Sequence, residues 1–270
     1  MEHDVIYTQP ENGTNLTMDI YFPSMTNSPA HPVVMYVHGG GWRMGDKDML
    51  SIMAGPAELL RRGYVVASIN YRLAPAFKFP TMLEDAKCAV RFLRAHAKSY
   101  GLDADHIGVM GDSAGGHLVI LLGLTDASAG FEGKGWTNES SRVQAVVDLY
   151  GPSDFRLGPT NTDTFAGRLF MDAFGPTNAT DNIITRASPI MYVSSNAPPF
   201  LIFHGSKDPL VNIEQSKSLF ERLRTAGDDA QFVVITNYSH GRAAFGFGLV
   251  HPTEKERAKM IADFFDRHLK

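Results

Sequence analysis

The sequence of 270 residues has little cysteine, no excess of basic residues and no long hydrophobic run, and each shortage excludes a class of protein. Cys88 is the single cysteine, which excludes an intramolecular disulfide framework and a cysteine-rich metal site. Lys and Arg number 25 against 29 Asp and Glu, so the net charge of −4 provides no general basic field for a nucleic acid. The longest apolar stretch, at residues 118–124, is far too short to span a membrane. We therefore expect neither nucleic acid nor membrane as a partner.

The first residues carry two acids, Glu2 and Asp4, and no apolar run, so they show no secretory signal. A signal removed before the numbering begins would leave no trace in this sequence. The single cysteine is compatible with a reducing compartment. Localisation is therefore unknown from the sequence, with the cytoplasm favoured.

Hydrophobic residues make up 44% of the chain and charged residues 20%, which is enough to bury a sizeable core. Apolar, β-branched runs predict strands, and apolar residues spaced three and four apart predict helices between them. The predicted strands are 33–37, 64–69, 107–110, 143–149, 200–203 and 231–235, and the predicted helices are 56–62, 80–93, 117–124, 213–226 and 254–269. This alternation predicts an α/β fold with a mostly parallel central sheet flanked by helices, in one domain of residues 1–270.

Two regions depart from this alternation of strands and helices. Residues 4–22 alternate polar and apolar side chains around Asn12-Gly13, which predicts an antiparallel hairpin at the edge of the sheet. Residues 155–195 contain Gly158-Pro159 and Gly175-Pro176, and only 165–174 has a helical pattern. We interpret 155–195 as a short lid insertion over the sheet.

A G-x-S-x-G motif spans residues 111–115 and places Ser113 between a predicted strand and a predicted helix. This context is what a nucleophile elbow needs, because Gly111 and Gly115 remove side chains that would collide across the sharp turn. An ordinary βα turn would give the same letters, so the motif alone is weak evidence. The strand-turn-helix context favours Ser113 as a nucleophile.

A serine nucleophile needs an imidazole to accept its proton and a carboxylate to orient that imidazole. Asp208 follows the strand at 200–203, and His240 follows the strand at 231–235. Both lie at carboxyl ends of strands, where open α/β sheets build their sites. Asp112 is the rival acid, but a residue adjacent to the serine is expected to point away from the imidazole. The predicted triad is Ser113, Asp208 and His240.

The segment His38-Gly39-Gly40-Gly41-Trp42 follows the strand at 33–37. Consecutive glycines allow backbone N–H groups to converge on one point, as an oxyanion hole requires. The alternative interpretation is a flexible glycine loop. It is less favourable because the segment directly follows a buried strand and precedes the predicted elbow in the sequence.

With these motifs, the chain resembles the α/β-hydrolases of the esterase and lipase group related to hormone-sensitive lipase. Within that group it resembles the branch typified by bifunctional feruloyl and acetylxylan esterases. The resemblance implies an oxyanion hole formed by the N–H groups of Gly40, Gly41 and Ala114. It also supports Ser113 as nucleophile, Asp208 as acid and His240 as base. The matching segments are 38–42, 71–75 with 79–80, 111–116, 148–154 and 204–208. After residue 75 the family commonly has Glu, whereas this chain has Ala76.

The expected function is that of a serine carboxylesterase (EC 3.1.1.-) that hydrolyses small, short-acyl esters through an acyl-serine. The resemblance implies acetyl or feruloyl esters of carbohydrates as substrates. We expect a small-molecule ester as partner, no metal and no organic cofactor, and a homodimer is compatible with the sequence. The aromatic residues predicted to line the pocket are Trp42, Phe155, Phe170 and Tyr192, with Phe165, Phe174 and Phe245 as further candidates.

Three alternatives remain open. An arylformamidase or other amidase uses the same triad, and so does a peptidase of the prolyl-oligopeptidase type. The third alternative is a catalytically silent ligand-binding α/β-hydrolase, although such a protein would have lost the catalytic histidine, whereas His240 is present.

Overall fold

A computed structural model describes residues 1–10, 13–24, 30–53, 55–157, 163–176, 182–244, 246 and 248–270. The strands are β1 (Glu2–Thr8), β2 (Leu16–Tyr21), β3 (His31–Val37), β4 (Val65–Ile69), β5 (Leu102–Asp112), β6 (Ala145–Leu149), β7 (Phe200–Gly205) and β8 (Ala230–Ile235). The helices are α1 (Pro56–Arg61), α2 (Thr81–Ala95), α3 (Ala97–Tyr100), α4 (Ala114–Leu124), α5 (Phe165–Phe174), α6 (Asn182–Ala187), α7 (Glu214–Ala226) and α8 (Glu254–Leu269). None of the helices in the described ranges is long and apolar enough to cross a membrane.

The eight strands form one sheet in the order β1-β2-β4-β3-β5-β6-β7-β8. Strands β3 to β8 run parallel to one another, whereas β1 pairs antiparallel with β2, and β2 pairs antiparallel with β4. The predicted α/β fold with a mostly parallel sheet is therefore confirmed. The predicted hairpin is also present at the sheet edge, although Asn12 of its turn lies outside the described residues.

Both faces of the sheet are covered, which explains why the central strands are apolar at nearly every position. Along β3, Val33, Met35 and Val37 pack into one core with side chains of α2 and α4. The alternate residues Val34 and Tyr36 pack into a second core with α1 and α8. This two-sided burial holds the carboxyl ends of the parallel strands at one fixed edge.

The region 155–195 contains α5, α6 and two short 3-10 helices, Phe155–Leu157 and Pro189–Tyr192. Helix α5 has the predicted bounds of 165–174: the Thr164 side chain accepts a hydrogen bond from the Gly167 N–H at its start, and Gly175 follows its end. Helix α6 was not predicted. The pair Gly175-Pro176 follows the end of α5, and the pair Gly158-Pro159 lies outside the described residues.

Candidate active site

Ser113 occupies the sharp turn between β5 and α4, with φ 51° and ψ −115°. A left-handed backbone conformation is uncommon for a residue other than glycine and is maintained here by its surroundings. The Ser113 N–H donates to the Leu149 carbonyl at 2.8 Å. A Cβ at Gly115 would lie 2.0 Å from the Val37 carbonyl oxygen, and one at Gly111 would lie 2.5 Å from the Gly115 carbonyl oxygen. Glycine is therefore required on both sides of Ser113, as the motif predicted.

A chain of two hydrogen bonds joins the three predicted triad residues. His240 Nε2 lies 2.7 Å from Ser113 Oγ. On the other side of the ring, His240 Nδ1 lies 2.7 Å from Asp208 Oδ2. Asp208 follows β7 and His240 follows β8, so neighbouring parallel strands deliver both side chains to the same edge of the sheet. The arrangement can take a proton from the serine hydroxyl onto Nε2.

The side chain of Asp208 is fully buried, and both of its carboxylate oxygens accept hydrogen bonds. Its Oδ1 accepts the N–H groups of Leu210 at 2.8 Å and Val211 at 3.0 Å. Burial opposes ionisation, but the hydrogen bonds from His204, His240 and Val211 outweigh it and hold the pKa of Asp208 well below its usual range. Asp208 is therefore a fixed negative charge beside the imidazole.

Asp112, the rival acid, is engaged elsewhere. Its Oδ1 accepts the Tyr36 hydroxyl at 2.7 Å and the Gly39 N–H at 2.9 Å. No hydrogen bond joins it to His240 in the part of the chain that the structure describes. Burial raises the pKa of Asp112. This carboxyl group anchors the start of the glycine segment, and its expected orientation away from His240 agrees with these contacts.

Two residues of the glycine segment have backbone conformations that favour glycine. Gly40 has φ 110° and Gly41 has φ 60°. A Cβ at Gly40 would lie 2.0 Å from the Met44 carbonyl oxygen, and one at Gly41 would lie 2.4 Å from Leu169 Cδ1. Ala114 is the first residue of α4. Within the described ranges, no protein group accepts a hydrogen bond from the N–H of these two glycines or of Ala114, which leaves all three donors available.

A cavity of about 440 Å³ opens onto Ser113 and His240. Of the four residues predicted to line it, Trp42, Phe155 and Phe170 do so. Its lining is mostly apolar and consists of Gly40, Gly41, Trp42, Met44, Met49, Asp112, Ser113, Pro152, Phe155, Phe165, Ala166, Leu169, Phe170, Leu210, Val211, Asn212, Gln215 and His240.

Tyr192 does not line this cavity. Its hydroxyl donates to the Arg186 carbonyl at 2.9 Å, and its ring packs against Phe131 at a centroid distance of 6.0 Å. The short 3-10 helix that carries Tyr192 thus ties its side chain back to the end of α6. Of the further candidates, Phe165 lines the cavity, Phe174 does not, and Phe245 lies outside the described residues.

Helix α5 lies directly against the glycine segment. The Leu169 side chain occupies the space beside Gly41, and Arg43 Nη1 donates to Asp172 Oδ2 at 2.6 Å. The rings of Trp42 and Phe174 also pack edge to face at a centroid distance of 5.0 Å, so apolar contacts and one ion pair join α5 to the loop that carries the N–H donors. Residues of α5 form the wall of the cavity next to that loop.

Sequence reasoning missed His117, which supports the cavity wall from below. Its Nδ1 accepts the Trp42 indole N–H at 3.2 Å, and its Nε2 donates to the Ala187 carbonyl at 2.8 Å. Burial lowers the pKa of His117 to about 4, so the ring is neutral at neutral pH. The only sequence signal for this role is that His117 is a polar residue at the start of the apolar segment 117–124.

His204 also has more contacts than the sequence suggested. Its Nε2 lies 2.9 Å from the Val211 carbonyl oxygen. The same nitrogen lies 3.4 Å from Asp208 Oδ2. Among the residues that the structure describes, no group of three His, Cys, Asp or Glu side chains could hold a metal ion.

Comparison with known proteins identifies the family. The profile of the BD-FAE family matches residues 18–223. The chain belongs to the BD-FAE family. It is 34% identical over 222 residues to Esterase LipC of Mycobacterium tuberculosis, an alignment that covers 80% of this chain and 54% of LipC. The chain spans about half the length of LipC and of two further curated relatives from the same organism.

Two solved structures resemble this BD-FAE chain over nearly its whole length. A truncated carbohydrate esterase from gut microbiota has a TM-score of 0.85 and 28% identity, with 98% of this chain and 95% of that one covered. A bifunctional GH43-CE protein of Bacteroides eggerthii has a TM-score of 0.85 and 32% identity, with 100% of this chain and 35% of that one covered. Both therefore share the α/β fold of this chain.

Proposed function

We propose that this chain hydrolyses carboxylic esters through an acyl intermediate on Ser113. The observation that carries the proposal is the hydrogen-bonded chain from Ser113 Oγ through His240 to the buried Asp208, at 2.7 Å for each bond. Asp208 accepts a hydrogen bond from the Nδ1–H of His240, which leaves Nε2 with a lone pair for the serine proton. Membership of the BD-FAE family and the likeness to Esterase LipC support the same activity.

The reaction proceeds in two half-reactions with the same groups. His240 Nε2 takes the Ser113 proton as Oγ attacks the ester carbonyl, and the oxyanion accepts hydrogen bonds from Gly40, Gly41 and Ala114. The imidazolium then returns its proton to the leaving alcohol, and the acyl-serine remains. In the second half-reaction, water gives a proton to His240 Nε2 as its oxygen attacks the acyl carbonyl. The imidazolium then returns that proton to Ser113 Oγ as the bond to the acyl carbon breaks and the carboxylic acid is released.

The substrates we propose are small, short-acyl esters, with acetyl or feruloyl esters of carbohydrates as the natural class. The apolar walls around Trp42, Phe155 and Phe170 suit the acyl group, and the volume of about 440 Å³ suits a short chain or one aromatic ring. The polar alcohol would lie at the open mouth. The two structural relatives named as carbohydrate-active support this class.

We further propose that residues 155–195 act as a lid inserted into one domain of residues 1–270. The contact of Leu169 with the glycine segment and the Arg43–Asp172 ion pair support this interpretation, because they couple α5 to the proposed oxyanion hole. A homodimer remains a prediction, to be checked by light scattering of the purified chain.

The experiment that tests the function is hydrolysis of p-nitrophenyl esters from acetate to palmitate by the wild type and by Ser113→Ala. We expect activity that is highest at short acyl chains and falls by about 10⁴-fold or more in the variant. Thermal melting of the variant provides the control for folding. Acetylated xylan, feruloyl esters and N-formylkynurenine then separate the carbohydrate esterase from the amidase alternative. A wild type that hydrolyses none of the esters would contradict the proposal.

A further inference from the structure

A second cavity of about 340 Å³ lies behind the loop that carries His240. Its lining shares no residue with the first cavity. Apolar walls are provided by Met53, Ile235, Val250 and Ile261. The volume lies within the range of about 300–1,000 Å³ that small-molecule sites occupy. Neither the triad nor the proposed acyl pocket uses this space.

The second cavity contains a buried cation with unused donors. Arg257 is 8% exposed and lines the cavity. Its Nη1 donates to the Pro252 carbonyl at 2.8 Å, and its guanidinium lies 4.8 Å from the centre of the Tyr238 ring. In the described part of the chain, no group accepts a hydrogen bond from its Nε or Nη2. Neither nitrogen is among the fully buried polar atoms that lack a partner, so both are reached by solvent in the cavity and can donate to an acceptor from outside the chain.

The charges around the cavity select one kind of acceptor. Arg242 and Arg257 contribute two positive charges and Glu254 one negative charge, which leaves a net charge of +1 among the lining residues. This balance favours a monoanion over a phosphate dianion. The planar guanidinium matches a carboxylate, which can accept two parallel N–H bonds. The apolar walls and the Tyr238 ring require an apolar body next to that carboxylate.

We propose that this second cavity is a binding site for an aromatic monocarboxylate, with the carboxylate on Arg257 and the ring against the apolar walls. Tyr150 lines the same cavity, and its ring centre lies 4.8 Å from that of His240. The bound acid would thus lie behind the proposed catalytic histidine, separated from it by Tyr150. Binding at this site does not depend on the proposed esterase activity.

The test is isothermal titration of the full chain with benzoate and, as the uncharged probe of similar shape, benzamide. We expect one equivalent of benzoate to bind and benzamide to bind at least tenfold more weakly. Ala243 lines the second cavity and Ala166 lines the first, so two tryptophan variants form a matched pair. Ala243→Trp should abolish benzoate binding, whereas Ala166→Trp should leave it unchanged.

Arg257 itself is tested by Arg257→Met, with Arg222→Met on the exposed surface of α7 as control. We expect at least a tenfold loss of benzoate affinity in the first variant only, and partial recovery in Arg257→Lys. Because Arg257→Met removes the bond to Pro252 and could disturb folding, Ala243→Trp tests the same site with Arg257 intact. Equal binding of benzoate and benzamide, loss in Ala166→Trp instead of Ala243→Trp, or no binding at all would each overturn the proposal.

Discussion

The carboxylate of Asp208 lies between two imidazoles: its Oδ2 is 2.7 Å from Nδ1 of His240 and 3.4 Å from Nε2 of His204. Its other oxygen accepts two backbone N–H groups. Every neighbour of this carboxylate therefore stabilises its ionised form. The carboxylate can fix the tautomer of His240 and would stabilise the imidazolium of the proposed acyl transfer.

Asp208→Asn is expected to lower kcat by about 10³- to 10⁴-fold with little loss of stability. The amide oxygen can keep the two backbone N–H bonds, but an amide NH₂ facing Nδ1 forces His240 to carry its proton on Nε2. In that tautomer the imidazole cannot accept the Ser113 proton. Steady-state hydrolysis of p-nitrophenyl acetate measures kcat, and chemical denaturation measures stability. Equal loss of kcat and of the folded state would indicate a structural role only.

His117 predicts a pH dependence of stability. Burial lowers its folded-state pKa from 6.5 to about 4, so the unfolded chain binds more protons between these two values. Stability is therefore expected to fall as the pH decreases from 6.5 to 4, by roughly 3 kcal/mol from this residue, and this contribution is constant below pH 4. Urea unfolding between pH 4 and 7 measures the change.

The control is His117→Gln, because a glutamine amide can accept from Trp42 and donate to the Ala187 carbonyl without titrating. The difference in the free energy of unfolding between wild type and variant isolates His117 from other groups. That difference should change by roughly 3 kcal/mol across the window, with the wild type losing more on acidification. Parallel profiles for the two proteins would contradict the prediction.

The residues that could be predicted from the sequence are those whose positions depend on strand order. Ser113, Asp208 and His240 each follow a strand, and parallel strands present such residues at one edge of the sheet. The link from Trp42 to His117 spans 75 residues, and that from His117 to Ala187 spans 70. Neither link has a local pattern, because the first depends on how the loop after β3 packs on α4 and the second on how α6 packs on α4.

Tyr192 illustrates the same limit. The local sequence does not tell whether an aromatic residue lines a pocket or packs beside it. For Tyr192, the structure decides this through the hydrogen bond to the Arg186 carbonyl. The role of the glycine segment could be predicted from the sequence, because consecutive glycines indicate a backbone that carries no side chains at Gly40 and Gly41. Their exact neighbours, Met44 and Leu169, came only from the structure.

Leu169 is expected to limit the size of the substrate. Its side chain forms part of the cavity wall beside Gly41, so Leu169→Ala lengthens the cavity at the glycine segment. We expect the ratio of kcat/KM for octanoate to that for acetate to rise about tenfold or more. Met171→Ala serves as control, because Met171 lies on the same helix and does not line the cavity. An unchanged ratio in Leu169→Ala would show that the acyl chain lies elsewhere.

Gly41→Ala is expected to reduce kcat by about 10²-fold or more with a smaller effect on KM, because the new methyl group displaces an N–H donor of the proposed oxyanion hole. The methyl would lie 2.4 Å from Leu169 Cδ1, the tip of a side chain. Adding Leu169→Ala should therefore restore part of kcat, while the cost of about 1–2 kcal/mol for a left-handed alanine remains.

Gly40→Ala provides the matched comparison, because its methyl would lie 2.0 Å from the backbone oxygen of Met44. A backbone carbonyl cannot be truncated, so Leu169→Ala should give no recovery in this variant. The measurement is kcat on p-nitrophenyl acetate for the two single and two double variants. Recovery in both double variants, or in neither, would mean that the contact between Leu169 and Gly41 does not govern the position of the N–H donor.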